Sequence, residues 1–341
     1  MIRVKDIANM VGVSPTTVSN VIHGNTKRVS QETAQKISSI LDEVGYIPNM
    51  GARLLSQNTS HIIGLVIGFD YLHGENAMQD PFVSTFVGQI SSEIENAGYY
   101  MMIIRGDDCR KVAEVASRWN VDGLIVLGWT EKSHKTLKKS AEKIQQLLLN
   151  TYVSDPELVV NVGTDDFDGA YQLGKYWADH GFRKTLFLTE NTAEMDQCRF
   201  AGFQRAMTEA FGACKKEERL ILLSSRKEVR RLQYDELLPR FREAGSLAFI
   251  SDYLAIDAVD YFIDKGVRVP EDILITGFDD TFYAELIRPR LTTVHQNIGL
   301  KASTAMQLLL RLINREKLPE EERNIKIAVQ LVVRESVRKR E

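Results

Sequence analysis

The first hydrophobic residues of the chain recur at the spacing expected for two short helices. Two sets lie at i, i+3, i+4 positions: Val4, Ile7, Ala8 and Val11, and then Val18, Val21 and Ile22. Between them, Gly12 can end the first helix, and Ser14 followed by Pro15 can cap and begin the second. The pattern therefore predicts two helices that share a small core across a tight turn.

The opposite face of the second predicted helix is polar and contains no carboxylate. It consists of Pro15, Thr16, Ser19 and Asn20. Small hydroxyls can reach DNA phosphates, and an asparagine can pair bidentately with adenine in the major groove. We therefore interpret the two helices as a helix-turn-helix that binds DNA. A plain helical hairpin with a solvated face is the alternative, because helix pairs are common.

A third helix and a short following segment complete the N-terminal region. Ser30 can cap a helix from about 31 to 44, which Gly45 would end. Asn49 can cap a further short helix, but Gly51 within it lowers helix propensity by about 1 kcal/mol relative to alanine. Since so short a helix is not stable alone, we expect it to need a partner surface.

From Ile62 onward, continuous apolar segments alternate with amphipathic ones. The apolar segments predict strands at 62–67, 99–104, 123–127, 159–162, 185–188, 220–223, 247–250, 273–276 and 325–333. Strands of this kind are covered by helices on both faces, which indicates an α/β fold of doubly wound parallel sheets. The length fits two lobes better than one sheet. Ligands of such folds bind at the carboxyl ends of the strands, here in the cleft between the lobes.

Composition narrows the class of protein. The chain has 341 residues, 44% of them hydrophobic, and a formal net charge of -3, which suits two or three compact units. The first 60 residues carry a small basic excess, so nonspecific DNA affinity should be modest and salt-sensitive. No apolar run reaches membrane-spanning length and no signal segment opens the chain, so we expect a cytoplasmic protein. Cys109, Cys198 and Cys214 lack metal-binding spacing, so we expect neither a metal site nor a disulfide framework. We also expect no cofactor.

Two rival functions share the predicted core fold. A sugar-binding transport-type protein would need a secretion signal and would lack the first 60 residues. A sugar-acting enzyme would need a catalytic constellation, and the sequence shows no HExxH, GxSxG or paired Cys/His pattern. The run from Gly169 to Lys175 satisfies most of a phosphate-loop pattern, but Tyr176 replaces the Ser or Thr that would hold Mg²⁺. We therefore predict a binding protein without catalytic residues.

Several ordered motifs resemble one family over the whole chain. They are VKDIANMVGVSPTTVSNVI, GYIPNMGARLL, CRFAGFQRAM, VPEDILITGFDD, RPRLTTVHQ and LVVRES. Together they resemble the lactose-repressor (LacI/GalR) family of bacterial transcription regulators. The resemblance implies a helix-turn-helix headpiece, a hinge helix with a linker, and a two-lobed periplasmic-binding-protein-like core for effector binding and dimerisation. The expected boundaries are 1–47 for the headpiece, 48–60 for the hinge and linker, 61–341 for the core, about 61–160 and 292–322 for the first lobe, and about 161–291 and 323–336 for the second.

The resemblance also implies which residues contact DNA. The family places its second helix in the major groove, and its hinge helix folds on DNA and inserts a leucine into the minor groove. The matching positions are Ser14, Pro15, Thr16, Thr17, Ser19, Asn20, His23, Asn49 and Leu55. Asn20 stands where the family often has arginine, so we expect adenine rather than guanine at the matching base. For Leu55, a plain covering role on the core is the alternative.

In the core, the resemblance implies contacts to a polar effector, usually a sugar. The matching positions are Arg199 and Asp279, while Asn150 and Ser251 occupy positions where relatives often carry Asp and Asn. Trp129 at a strand end and Phe82 at the start of a predicted helix are further expected contacts, from their own positions. A guanidinium fork and a carboxylate can hold a diol from two sides. Pairing of Arg199 with a neighbouring acid, and capping of the turn before Phe282 by Asp279, are the alternatives. The two aromatic residues are expected either to stack on a sugar or to serve as plain wall.

These implications define the expected function. The chain is expected to be a homodimeric repressor of carbohydrate-utilisation genes that binds a palindromic operator. A small sugar-like effector in the cleft would change lobe closure and thereby control operator binding. No leucine-heptad tail follows the last predicted strand, so nothing encodes a further coiled-coil assembly.

Overall fold

A computed structural model of the protein describes residues 2–22, 26–46, 59–68, 77–106, 108–152 and 159–337. The chain divides into two units, Met1–Ser60 and His61–Glu341, which we describe separately. Four of the sequence-based predictions, namely His23, Asn49, Leu55 and the hinge helix at 49–56, lie outside the described residues.

In the described residues of the first unit, three helices form a headpiece. Its helices are α1 (Val4–Val11), α2 (Pro15–Ile22) and α3 (Gln31–Glu43), with a 3₁₀ turn at Thr26–Arg28. Gly12 follows α1 with φ 78°, a left-handed conformation that glycine adopts without strain. The Ser30 hydroxyl accepts a hydrogen bond from the Thr33 amide at 3.2 Å and so caps α3. The side chains buried between the helices are Ile7, Ala8, Val18 and Ile37.

The second unit alternates strands and helices along its described residues. Its strands are β1 (Ile62–Ile67), β2 (Tyr100–Arg105), β3 (Gly123–Leu127), β4 (Gln145–Leu149), β5 (Asn161–Thr164), β6 (Leu186–Thr189), β7 (Leu220–Leu222), β8 (Ser246–Phe249), β9 (Leu274–Thr276), β10 (Thr293–Gln296), β11 (Asn324–Ile327) and β12 (Val329–Val332). Its helices are α4 (Pro81–Asn96), α5 (Cys109–Arg118), α6 (Glu131–Ser140), α7 (Asp166–Asp179), α8 (Glu194–Phe211), α9 (Lys216–Arg219), α10 (Lys227–Ala244), α11 (Asp252–Asp264), α12 (Phe282–Leu286) and α13 (Ile298–Ile313).

Six parallel strands form the sheet of the first lobe, in the order β11-β5-β4-β3-β1-β2. In register, Ile63 of β1 lies opposite Met101 on one side and Gly123 on the other. Helices α4 and α13 cover one face with a core that includes Phe86 and Leu309, while α5 and α6 cover the other face. Because both faces are buried, β1 and β3 are continuous runs of apolar residues.

Four parallel strands form the sheet of the second lobe, in the order β7-β6-β8-β9. Its core contains Trp177 of α7, Phe203 of α8 and Phe249 of β8. Helices α7 and α8 pack closely because Gly202 has no side chain: a Cβ there would lie 2.1 Å from the carbonyl oxygen of Phe167. This approach fixes the helix that carries Arg199.

The observed strand pairing puts the boundary between the lobes at different residues from those we expected. We expected the second lobe to begin at about 161 and to resume at about 323. Instead, β5 pairs with β4 and β11 pairs with β5, so both strands belong to the first sheet. The Nδ2 of Asn161 donates to Oδ1 of Asn324 at 2.9 Å across this pair. Since β12 pairs with β10 in a separate antiparallel ribbon, the single strand expected at 325–333 is two strands in two sheets.

Two strands, β4 and β10, are not among those the sequence predicts. β4 begins with two half-buried glutamines and has only three apolar residues, so its pattern is weak. The pairing of β4 with β3 and β5 therefore decides its conformation. Within the described part of the chain, no helix is long and apolar enough to cross a bilayer.

Candidate functional site

Helix α2 presents the polar face that the sequence predicts for DNA contact. The exposed or half-buried residues of this face are Ser14, Pro15, Thr16, Thr17, Ser19 and Asn20. On the opposite side, Val18 is fully buried in the headpiece core. The Ser14 hydroxyl also accepts a hydrogen bond from the Thr17 amide at 3.1 Å, so it caps α2. The face is accessible to a partner, while contacts to particular bases stay a prediction.

A cavity lies between the two lobes of the core, where strands of both sheets end. It encloses about 760 Å³, part of which is open to solvent. Leu127, Asn150, Glu190 and Ile250 line it, and each stands at or directly after the carboxyl end of a strand. Five of the six predicted effector contacts also line it: Phe82, Asn150, Arg199, Ser251 and Asp279.

Arg199 of α8 is 2% exposed at the wall of the cavity. Its Nε donates to Oδ1 of Asp166 at 2.7 Å, and its Nη1 donates to the carbonyl oxygen of Ile250 at 2.6 Å. The guanidinium carbon lies 3.6 Å from the ring centroid of Phe278. The Nη1 atom also lies 3.6 Å from Oδ1 of Asp279. Arg199 therefore pairs with a neighbouring acid, which was the alternative role. The same side chain also borders the cavity.

Asp279 approaches Arg199 from the loop after β9. Its Oδ1 accepts a hydrogen bond from Nε2 of Gln296 at 2.6 Å. Burial raises the pKa of the Asp279 carboxyl well above its usual value, against the opposing charge of Arg199. The carboxylate that accepts from the Thr281 amide before α12 is that of Asp252, at 2.8 Å. The alternative that Asp279 caps this turn therefore does not fit.

Asn150, Ser251 and Phe82 border the cavity while serving the fold. Asn150 follows β4 with φ 52°, and its Oδ1 accepts from Nζ of Lys301 at 3.0 Å. Ser251 precedes α11, and its hydroxyl accepts from the Leu254 amide at 3.4 Å. Phe82 stands near the beginning of α4, with Nζ of Lys301 5.1 Å from its ring centroid. Lys301 thus connects two residues of the first-lobe wall.

Trp129 does not join the cavity lining. It is 3% exposed and packs in a hydrophobic cluster with Val66 and Val126. Its indole lies against Gly68, where an added Cβ would be 2.1 Å from the ring. Because the ring is already buried in this cluster, the expected stacking of Trp129 on a ligand does not fit its position.

Several lining residues are absent from the sequence-based predictions. They include Asp80, Glu190, Asp196 and Gln296. Glu190 directly follows β6, so its position at a strand end could have identified it. Asp196 precedes Arg199 by three residues on α8, so helical spacing could have identified it. Gln296 carries no such local signal, because its place depends on the pairing of β10 with β12.

The chemistry of the described residues shows no metal centre. No group of three or more His, Cys, Asp or Glu side chains among them could hold a metal ion. The run from Gly169 to Lys175, which resembles a phosphate loop in sequence, lies inside α7 and is helical. Its amides therefore bond within the helix and do not form a phosphate cradle.

The headpiece has the helix-turn-helix arrangement of DNA-binding proteins, and the same chain carries a two-lobed α/β core with a cavity between its lobes. The sequence profile of bacterial regulatory proteins of the lacI family matches residues 3–49, and the profile of the periplasmic binding protein-like domain matches residues 175–337. The chain therefore combines a headpiece that matches the lacI family of bacterial regulatory proteins with a core that matches the periplasmic binding protein-like domain.

Relatives and solved structures match the chain over nearly its whole length. The HTH-type transcriptional repressor PurR of Mannheimia succiniciproducens is 28% identical over 345 residues, covering 99% of both chains. The HTH-type transcriptional regulator GalR of Escherichia coli is 28% identical over 326 residues, covering 94% of this chain and 92% of its own. The lac repressor dimer bound to operator and the anti-inducer ONPF matches the fold with a TM-score of 0.83 at 21% identity, covering 98% of both chains. The regulator CelR in complex with cellobiose matches with a TM-score of 0.71 at 22% identity, covering 99% of this chain and all of its own.

Proposed function

We propose that the protein is a homodimeric repressor that binds a palindromic operator through α2. The supporting observation is the accessible, carboxylate-free face of that helix, whose small polar side chains suit phosphates and base edges. One headpiece reads few bases, so two headpieces related by a dyad would read two half-sites. The lac repressor dimer on its operator provides a precedent in the same fold.

The effector site of this proposal is the interlobe cavity. The buried Arg199 and Asp279 of the second lobe line it together with Phe82 and Asn150 of the first. Both lobes contribute polar groups, so a small polyhydroxy ligand such as a sugar would contact both at once. Its binding would favour one arrangement of the lobes and so shift the population of the operator-binding state. Control of carbohydrate-utilisation genes follows as the expected physiological role.

The proposed DNA contact is tested by base selection with the full-length protein. Asn20→Arg should change the preferred base at one symmetric position of the operator from adenine to guanine, because arginine pairs with the O6 and N7 of guanine. Gln35→Ala, which alters an exposed amide on α3, serves as the control and should leave the selected sequence unchanged. If Asn20→Arg leaves the base preference as it was, α2 does not read that base.

The proposed effector site is tested by fluorescence-anisotropy titration of operator with and without an active ligand. Arg199→Ala should abolish the ligand response and leave operator binding intact. Because Arg199 also pairs with the buried Asp166, a second variant is needed, and Asn191→Ala changes the lining outside this ion pair. It should weaken the response at least severalfold. Equal loss of operator binding and ligand response in both variants, with normal thermal melts, would count against the cavity as the effector site.

A further inference from the structure

A second cavity lies at the other end of the second-lobe sheet from the interlobe cavity. It encloses about 920 Å³, part of which is open to solvent. Thr185 and Leu186 line it at the amino end of β6, whereas the interlobe cavity adjoins the carboxyl end of that strand at Glu190. Phe211 and Ala244, the last residues of α8 and α10, also border it. Among the residues that the structure describes, the two cavities share no lining residue, so they are separate sites.

Arginine side chains from three parts of the lobe line this second cavity. Arg183 precedes β6, Arg219 ends α9, and Arg240 lies near the end of α10. The Nη2 of Arg219 donates to the carbonyl oxygen of Arg183 at 3.3 Å, so these two arginines are in contact. The Nη2 of Arg240 donates to the carbonyl oxygens of Glu217 and Glu218 at 3.1 and 3.0 Å, and so holds α9 in place. We call the three residues the arginine cluster.

Arg219 is a buried cation whose hydrogen bonds go to neutral oxygens. It is 6% exposed, and its Nη1 donates to Oε1 of Gln204 at 2.9 Å. The other two buried arginines of the described chain, Arg199 and Arg230, donate to carboxylates at 2.7 and 2.8 Å. Burial lowers the pKa of these two, but their acidic neighbours raise it by more. For Arg219 burial prevails, and its pKa is lowered.

The two acids that border the second cavity act on the arginine cluster only at longer range. Glu243 accepts a hydrogen bond from Nζ of Lys184 at 2.8 Å, and the charge of Arg240 acts on it as well. The exposed Glu218 opposes the lowering of the Arg219 pKa without reversing it. In the described ranges, no carboxylate oxygen lies within 4.0 Å of a guanidinium nitrogen of the cluster. The cluster therefore lacks a direct ion pair.

Helix termini explain part of this clustering. The Nη2 of Arg183 donates to the carbonyl oxygen of Phe211 at 3.4 Å, where α8 ends, and cations are stabilised at such ends. A helix end offers only about half an elementary charge, however, which is less than the charge of three guanidinium groups. Each guanidinium also has five N–H donors, and each makes only one or two hydrogen bonds to described residues. Donors and charge are thus available for a ligand.

We propose that the arginine cluster binds the phosphate group of a small phosphorylated metabolite. A phosphate dianion presents several acceptor oxygens to guanidinium forks and would give the buried Arg219 the ion pair that its side-chain contacts do not provide. A carboxylate has one charge and two oxygens, so it would bind more weakly. Leu186 and Phe211, which also line the cavity, would pack against the uncharged part of the metabolite.

The first test compares ligands by isothermal titration calorimetry on the full-length protein near neutral pH, in a chloride buffer of low ionic strength. The panel contains inorganic phosphate, phosphomonoesters of sugars and of glycerol, and the carboxylates of the same parent compounds. At least one phosphomonoester should bind with a Kd below about 1 mM and about tenfold more tightly than its carboxylate counterpart. Equal binding of carboxylates, or no binding by any phosphate compound, would overturn the proposal. Inorganic phosphate that binds as tightly as every ester would overturn the metabolite as the ligand.

The second test assigns this binding to the arginine cluster. Arg183→Gln and Arg219→Gln should each weaken the tightest phosphomonoester at least tenfold. Because Arg183 is exposed, its substitution keeps the test valid even if Arg219→Gln fails to fold. Arg226→Gln removes an exposed arginine at the other end of α10 and should leave the affinity unchanged. Unchanged affinity in Arg183→Gln, or an equal loss in Arg226→Gln, would overturn the assignment.

Two further measurements separate this site from the other proposed sites. Asn191→Ala alters the interlobe cavity and should leave phosphomonoester binding unchanged, whereas a loss equal to that of Arg183→Gln would place the ligand in the interlobe cavity and overturn the proposal. Gel shifts with random DNA should show the same affinity for Arg183→Gln and the unmodified protein. Weaker binding by the variant would identify the cluster as a contact to the DNA backbone and would also overturn the proposal.

Discussion

Lys301 provides a quantitative test of the buried polar network behind the cavity. The side chain is 1% exposed, and its ammonium donates to neutral oxygens of Asn150, Thr164 and Gln296 at 3.0, 2.5 and 2.9 Å. Burial lowers the pKa of Lys301 to about 8 from its ordinary 10.5. At about 1.4 kcal/mol per unit, holding this lysine charged in the native state costs about 3 kcal/mol.

Lys301→Met removes this cost while keeping an unbranched side chain of similar length. The hydrogen bonds lost offset part of the gain. Gln296 Oε1 retains the Thr164 hydroxyl as a donor at 2.6 Å, so mainly Asn150 loses its partner, at about 1 kcal/mol. We therefore expect the variant to be about 2 kcal/mol more stable at pH 7.

The pH dependence of the stability gain shows whether the charge of Lys301 is its cause. Below about pH 8, Lys301 is charged in both the folded and the unfolded state, so the full cost is present. Between pH 8 and 10.5 the folded protein releases the proton before the unfolded chain does, so native stability rises and the cost disappears. The advantage of Lys301→Met should therefore shrink to near zero at about pH 10.

Urea unfolding followed by tryptophan fluorescence measures this effect, because Trp119, Trp129 and Trp177 all belong to the second unit. Lys139→Met replaces an exposed lysine of α6 and should show no comparable gain at either pH. A loss of stability at pH 7, or a gain that does not change between pH 7 and 10, would refute the reasoning.

Three further sets of substitutions test the packing, capping and charge arguments. Gly202→Ala should destabilise the core by about 3 kcal/mol because its Cβ would meet the neighbouring helix backbone, whereas Gly88→Ala, on an open helix face, should stabilise it by about 0.5–1 kcal/mol. Urea midpoints compare the two, and similar effects would contradict the close approach of α7 and α8. Ser30→Ala should cost the headpiece about 1 kcal/mol, seen as faster amide exchange in α3, and unchanged exchange would mean that the cap contributes nothing. Arg199→Met should cost about 3–5 kcal/mol in chemical unfolding, and adding Asp166→Asn should recover part of it; no recovery would mean that the buried pair is not the cause.

Much of the architecture follows from local sequence signals. The headpiece helices begin and end near Gly12, Ser14 and Ser30, because capping and left-handed turns depend on neighbouring residues. Strands buried on both faces, such as β1 and β3, are equally visible, because burial requires an unbroken apolar run. The ends of these strands indicate where a ligand site forms, and Leu127, the last residue of β3, lines the cavity.

The rest depends on contacts between residues distant in the sequence. Pairing with β3 and β5 makes a strand of the weakly apolar β4, and the pairing of β11 with β5 moves the lobe crossing. Trp129 follows a strand end, but its ring packs against Gly68 and so does not reach the cavity. Asp196 reaches the cavity, where its Oδ1 accepts a hydrogen bond from the Thr189 hydroxyl. The sequence by itself determined the two-part architecture and the strand ends, since these depend on local periodicity. Only the tertiary structure decided which buried polar residues line the cavity, such as Gln296, because that depends on pairing between strands distant in the sequence.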